Sequence, residues 1–278
     1  MRHGVPPAWV ALWFALLAGT AAAGDGEYLF HAAGCAGCHT RDGGPALAGG
    51  RRFDTAFGAF YSPNITPDRE TGIGEWTAQR FIHAVKHGTR DDGSAYFPVF
   101  PYPSYRLLSD DDASAIFDYL MTLPAHRQAN REHDLPWWLA RWMIAPWQWW
   151  IMEAPPEPPR DTEQQRGWYL VDALGHCGEC HTPRKFAGVS DRSRYLGGNA
   201  DGPEGDKVPN ITPDRKAGIG KWSADDLAYF LETGALPDGD YTGSTMAEVV
   251  DNTTSKLTRD DRAAIVRYLR AVPPLPGD

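Results

Sequence analysis

The sequence predicts an all-α chain built from two similar halves in tandem, and three observations carry that prediction. A five-residue motif, Cys35-Ala36-Gly37-Cys38-His39, returns as Cys177-Gly178-Glu179-Cys180-His181. A scaffold repeats behind it at an offset of 146 residues (209 − 63): Pro63-Asn64-Ile65-Thr66-Pro67-Asp68 recurs as Pro209-Asn210-Ile211-Thr212-Pro213-Asp214, Gly72-Ile73-Gly74-Glu75-Trp76 as Gly218-Ile219-Gly220-Lys221-Trp222, and Gly88 as Gly234. No segment sustains the period-two alternation of a half-buried strand, whereas apolar residues recur three and four positions apart. A repeat in register at this length marks one folding unit used twice.

The motif carries chemistry. Two cysteines two residues apart with a histidine directly after read as a c-type haem attachment site. Two thiols on one tight turn add across the two vinyl groups, and the histidine is held against the ring, where an imidazole nitrogen ligates the iron. Cys35, Cys38, Cys177 and Cys180 are all the cysteines present. The competing readings are weaker. A thioredoxin-like pair belongs near a βαβ pattern, and none is visible. Paired knuckles sharing a zinc usually lie about 15–20 residues apart. Two disulfides leave His39 and His181 unexplained.

In chain order, residues 1–23 read as a secretory signal peptide. Met1-Arg2-His3 is basic, Ala8 to Ala18 is a short apolar run, and Ala21-Ala22-Ala23 is a small-residue cleavage site. Export agrees with covalent haem attachment, and a periplasmic location is expected. The chain carries 27 basic and 36 acidic residues, net −9. Such a surface argues against nucleic acid and anionic lipid as partners and suits a basic one. The expected organisation is a first domain over 24–125, a linker over 126–160 and a second domain over 161–278.

Within each half, short helices and long turns follow from the 29 Gly and 23 Pro. Asp25 is placed to cap a helix through Tyr28 and Leu29 that delivers the chain to Cys35. Thr77 and Ser223 precede periodic apolar runs (Phe81, Ile82, Val85; Leu227, Phe230, Leu231) and suit N-caps. Gly88 and Gly234 suit C-terminal stops. Ser109 and Thr258, each followed by acids, open the last helices; Ile116, Phe117 and Leu120, and Ile265, Tyr268 and Leu269, face inward; Pro124 and Pro273 end them. Trp76 and Trp222 sit at matching places, either near a haem edge or in the core.

Residues 135–152 hold six of the eleven tryptophans, followed by the extended stretch Ala154-Pro155-Pro156-Glu157-Pro158-Pro159. The favoured expectation is that this segment wraps both domains and fixes the haems relative to each other. Docking of a partner subunit and a membrane-interface role remain open.

The order Cys-x-x-Cys-His, Tyr61-Ser62-Pro63-Asn64-Ile65-Thr66-Pro67-Asp68, Gly72-Ile73-Gly74-Glu75-Trp76, Pro101-Tyr102-Pro103-Ser104-Tyr105 resembles the multihaem cytochrome c subunits of membrane-bound alcohol and gluconate dehydrogenases and of molybdenum hydroxylases. Gly175-His176-Cys177-Gly178-Glu179-Cys180-His181-Thr182-Pro183-Arg184 resembles that family's second haem site. The resemblance implies two class I cytochrome c-like domains, each wrapped round one covalent haem c. It implies a relay of single electrons from a dehydrogenase catalytic subunit to a respiratory acceptor, with substrate oxidised elsewhere. Many members carry three haems; this chain resembles a two-haem relative, with no span after signal removal and peripheral membrane association left open.

The family places an axial methionine on each haem. Met246, in Gly243-Ser244-Thr245-Met246, resembles that ligand and pairs with His181. At the repeat offset, Met246 maps to Phe100, so the first haem lacks the equivalent ligand. Three completions stay open: another base (His83 and His87, or Lys86, Tyr96 or Tyr102), an open iron behind Phe100, or Met121 from the last helix. An open iron keeps a rival reading alive, a haem enzyme of the dihaem peroxidase or sulfur-oxidising kind, or a haem sensor. Gly44-Pro45-Ala46-Leu47 resembles the loop whose carbonyl accepts the proximal imidazole N–H, with no clear copy in the second half. Asn64 and Asn210 are placed either to bond propionates or to shape a turn.

Overall fold

A computed structural model describes residues 23–152, 156–185, 188–202 and 205–277. Most of the predicted leader lies outside the described residues. The first half runs α1 (Ala23–Ala32), α2 (Cys35–His39), the strand pair β1 (Arg52–Thr55) and β2 (Gly58–Tyr61), α3 (Ala78–His87), α4 (Tyr102–Tyr105) and α5 (Asp110–Thr122). After α6 (Ile144–Ile151), the second half repeats the order with α7 (Thr162–Trp168), a π-helical turn Tyr169–Leu174, α8 (Gly178–His181), α9 (Ala224–Thr233), α10 (Ser244–Asn252) and α11 (Arg259–Ala271).

The predicted caps form. Thr77 Oγ1 accepts from Arg80 N (3.2 Å), and Ser223 Oγ from Asp226 N (3.0 Å), the latter completed as a capping box. Gly88 and Gly234 end α3 and α9 with φ of 63° and 75°. Ser109 and Thr258 cap α5 and α11. Asp25 differs: the helix is already running at Ala23, so Asp25 lies inside its first turn, where the dipole favours a carboxylate, rather than capping it.

Only one ladder forms among the described residues, an antiparallel hairpin pairing Arg52 with Tyr61 through Thr55 with Gly58. The second half keeps a vestige of it in the bridge between Asn199 and Val208.

The helices cross where glycine permits. A Cβ on Gly26 would lie 2.3 Å from the Ala115 carbonyl oxygen, and one on Gly167 would lie 2.1 Å from that of Ala264. α1 therefore seats on α5, and α7 on α11, at backbone contact. One buried cluster runs through both halves, with Leu29, Ile73, Phe81, Ile116 and Leu120 from the first and Leu174, Ile219, Leu227, Ile265 and Leu269 from the second. Trp76 and Trp222 are partly buried and packed against that cluster; Arg80 stacks on Trp76 at 4.3 Å.

The segment predicted to link the halves begins as a strap on the first. Asn64 N donates to Asn130 Oδ1 (2.7 Å), Gln128 Nε2 to the Ala48 carbonyl (2.8 Å), and Ala59 bridges Asp134. In α6, Ile144 and Gln148 turn inward, Gln148 donating to the carbonyls of His87 and Gly88. Trp147 reaches a cavity shared with Val189 and Arg192 of the second half. The other five tryptophans face outward, Trp137 and Trp149 being 94% and 85% exposed. The wrapping expected of the whole run is thus confined to one side of α6, because helical periodicity turns Trp149 and Trp150 away from the side that carries Ile144 and Gln148. No described helix is long and apolar enough to cross a membrane.

Candidate haem-binding sites

Each motif histidine is held by the repeated loop. His39 Nδ1 lies 2.8 Å from the Pro63 carbonyl oxygen, and His181 Nδ1 lies 2.8 Å from that of Pro209. A carbonyl only accepts, so Nδ1 carries the proton and Nε2 keeps its lone pair. Burial holds both imidazoles below their ordinary pKa against the opposing pull of those carbonyls. A neutral imidazole with a free Nε2 is the form that ligates iron.

The turn around each histidine is braced identically. Gly49 N donates to the His39 carbonyl and Gly198 N to that of His181, both at 2.8 Å. Leu47 N donates to Thr40 Oγ1 and Leu196 N to Thr182 Oγ1, both at 3.1 Å. Leu47 and Leu196 share the left-handed backbone, with φ of 60° and 61°, and their carbonyls accept from Ile65 N and Ile211 N. This corrects two expectations. The acceptor for the proximal N–H is Pro63, not the Gly44–Leu47 loop; that loop instead clamps the segment that presents Pro63. The loop also has its copy in the second half at Leu196, hidden because the surrounding side chains differ and only the backbone path is shared. The signal available in the sequence was the repeat of Pro-Asn-Ile-Thr-Pro-Asp alongside the motif.

Asn64 and Asn210 are structural. Their Oδ1 atoms accept from the N and Oγ1 of Thr66 and Thr212 at 2.7–2.9 Å. Their Nδ2 atoms donate to the carbonyls of His126 (2.7 Å) and Leu275 (2.8 Å). Each thus ties the histidine-holding loop to the chain leaving the last helix of its half.

The four cysteines are free of disulfides, and among the described residues no three His, Cys, Asp or Glu side chains converge as a metal-holding group. Burial pushes Cys35 and Cys177 up to about 12, opposite to the lowered pKa of a reactive redox dithiol. The residues present fit haem attachment: each pair of free thiols stands directly before an imidazole whose Nε2 is unprotonated.

Met246 lies half-buried in the first turn of α10. Phe100 packs among the rings of Tyr96, Tyr102 and Tyr105 at 5.8, 6.3 and 5.8 Å. His83 and His87 lie ring to ring at 5.1 Å on the exposed side of α3, opposite buried Phe81, Ala84 and Val85. Met121 is partly buried and packed against the core.

The halves meet through their sites. α4 packs on the π-helical turn before the second motif, and α10 packs on α2. Ser104 Oγ donates to Glu179 within the second motif (2.9 Å). Arg51 donates to the Gly37 carbonyl in the first motif (2.6 Å) and pairs with Glu248 of α10.

Residues 23–124 match the cytochrome c family. Over 267 residues the chain is 43% identical to a diheme cytochrome c-type protein of Cereibacter sphaeroides, an alignment covering 91% of this chain and 87% of that one. The chain belongs to the dihaem c-type cytochromes. It is also 40% identical over 266 residues to the gluconate 2-dehydrogenase cytochrome c subunit of Pantoea cypripedii, and 40% identical over 260 residues to the fructose dehydrogenase cytochrome subunit of Gluconobacter japonicus. Each alignment covers 89% of the cytochrome but only 58% and 52% of those relatives, so the cytochrome spans a little over half their length. Covalently bound haem c is accordingly its cofactor. When bound, each haem would supply a one-electron couple, and the function is electron transfer.

Proposed function

We propose that this cytochrome works outside the cytoplasm, in the periplasm, taking electrons singly from a dehydrogenase subunit and passing them to a respiratory acceptor. The observation that supports this reading is the twin geometry of His39 on Pro63 and His181 on Pro209, two equivalently held imidazoles in one chain. In this reading Cys35 and Cys38, and Cys177 and Cys180, anchor one haem each, His39 and His181 ligate the irons, and Met246 completes the second. Two cytochrome c-like domains, 24–125 and 161–278, then wrap one haem each. What the chain's own residues supply is placement: the Pro63 and Pro209 carbonyls orient the rings and raise their basicity, and the braced turns keep them there.

Relatives that are dehydrogenase subunits support the donor class. The outward tryptophans at 137–150, in a stretch whose sole charged residue is Arg141, support a protein held against a partner or a membrane surface rather than diffusing free. The test is haem content and reduction of purified protein. The wild type should bind two haems; Cys38→Ser with Cys35→Ser, and Cys180→Ser with Cys177→Ser, should each lose one. Retention of both haems in either pair overturns the assignment.

Phe100 favours one second reading, chemistry at an open first iron. Carbon monoxide binding to the reduced protein would support it, and absence of binding would leave transfer alone.

A further inference from the structure

The two motif turns face each other across the halves, and the pairs that meet there are unequal. On one side Thr253, which follows α10, packs over Gly34, the residue before Cys35; a Cβ on Gly34 would lie 3.1 Å from Thr253 Oγ1. On the other side Tyr105, in α4, packs over His176, the residue before Cys177, with ring centroids 5.4 Å apart at 83°. Gly34 and His176 hold the same place in the repeat and the same backbone hand, with φ of 66° and 39°. For glycine that hand is free; for histidine it is strained, and strain of this kind persists only where the surroundings enforce it and gathers at functional positions.

The imidazole occupies a particular position. Tyr105 Oη donates to the Ala33 carbonyl (2.8 Å), two residues before Cys35. His176, stacked on Tyr105, lines the same cavity as Ala33. With Gly37, Cys38, Arg51, Thr245 and Glu248, His176 lines a cavity of about 100 Å³ at the first motif. A residue adjacent to Cys177 thus reaches the backbone that carries Cys35 and Cys38.

We propose that His176 is a positioning residue for electron exchange between the two haems: wedged under Tyr105, its imidazole holds the two motif turns at one fixed separation. The step served moves one electron, oxidising one iron and reducing the other, with no bond made or broken. This rests on the assignment of both motifs as haem sites.

The test uses the holoprotein. His176→Gly restores the residue that the first half carries at this place and suits the backbone, so folding and both haems are expected to survive. His176→Asn is the second variant, since asparagine also tolerates the left-handed region. Exchange between the haems is read from the line-broadening of haem methyl NMR signals through a redox titration, with thermal stability measured in parallel. The expected result is exchange slowed several-fold in both variants, with a Tm for His176→Gly no lower than wild type. Exchange as fast as wild type in both variants, or a lowered Tm with unchanged exchange, overturns the role of His176. Loss of exchange in the wild type itself overturns the two-haem relay as well, whereas normal haem content with exchange intact in the variants overturns His176 alone.

Discussion

Tyr28 and Tyr169 do the same work from the two halves of the chain. Each stands in the helical segment before a haem motif and reaches the first turn of the other half's last helix. Tyr28 Oη donates to Asp261 and accepts from Thr258 N (3.2 Å); Tyr169 Oη donates to Asp112 and accepts from Ser109 N (3.2 Å). The halves are therefore joined by an exchange of equivalent caps.

Removing either hydroxyl should weaken the join without touching haem. Tyr169→Phe should cost about 1 kcal/mol, the usual worth of one internal hydrogen bond, more where a buried partner is left unpaired. Tyr28→Phe should cost less, because Asp261 keeps both of its bonds from Arg166, at 2.8 and 2.6 Å. Denaturant unfolding of the two single variants measures the order.

The glycine crossings predict a larger effect. Gly167→Ala drives a methyl to 2.1 Å from the Ala264 carbonyl and also meets Tyr268 Cβ at 2.7 Å. The helices must separate, and overpacking of this kind costs about 1–3 kcal/mol. Gly26→Ala should behave alike; a Tm unchanged in both would show that the helices cross elsewhere.

Met246→Ala should abolish the methionine-to-iron charge-transfer band at the red edge of the ferric spectrum, and lower one of the two reduction potentials while leaving the other in place. Survival of the band would assign the methionine ligand elsewhere, to Met121 first.

Asp172 predicts a pH dependence. Burial raises its carboxyl above the ordinary value, against the hydrogen bond from Tyr195 Oη (2.8 Å). A carboxyl raised in the folded state holds its proton more tightly there than when unfolded. Its ionisation therefore destabilises the fold as pH rises through and beyond the unfolded value, and contributes nothing below it. Asp172→Asn should have the same Tm as wild type in acid and a higher one at neutral pH. The opposite trend would show the carboxylate to be stabilised in place.

Much of this was legible because it was written locally and twice. A hydroxyl before an acidic turn, a glycine after an apolar run and two thiols before a histidine each act through their near neighbours, so spacing alone reveals Thr77, Ser223, Gly88, Gly234 and both motifs. The partner of each histidine was harder. Pro63 lies 24 residues beyond His39 and contributes a backbone carbonyl, which carries no side-chain signature. The same holds for Leu196, whose likeness to Leu47 is one of φ alone.

By itself, then, the sequence determined the helical class, the internal repeat and the caps, and it singled out the two cysteine–histidine motifs, because each depends on residues close along the chain. Only the tertiary structure decided how the halves meet. The crossed caps at Tyr28 and Tyr169 and the stack of Tyr105 on His176 join residues tens to hundreds apart. Their pairing is set by which helix faces bury together, and no local pattern states that.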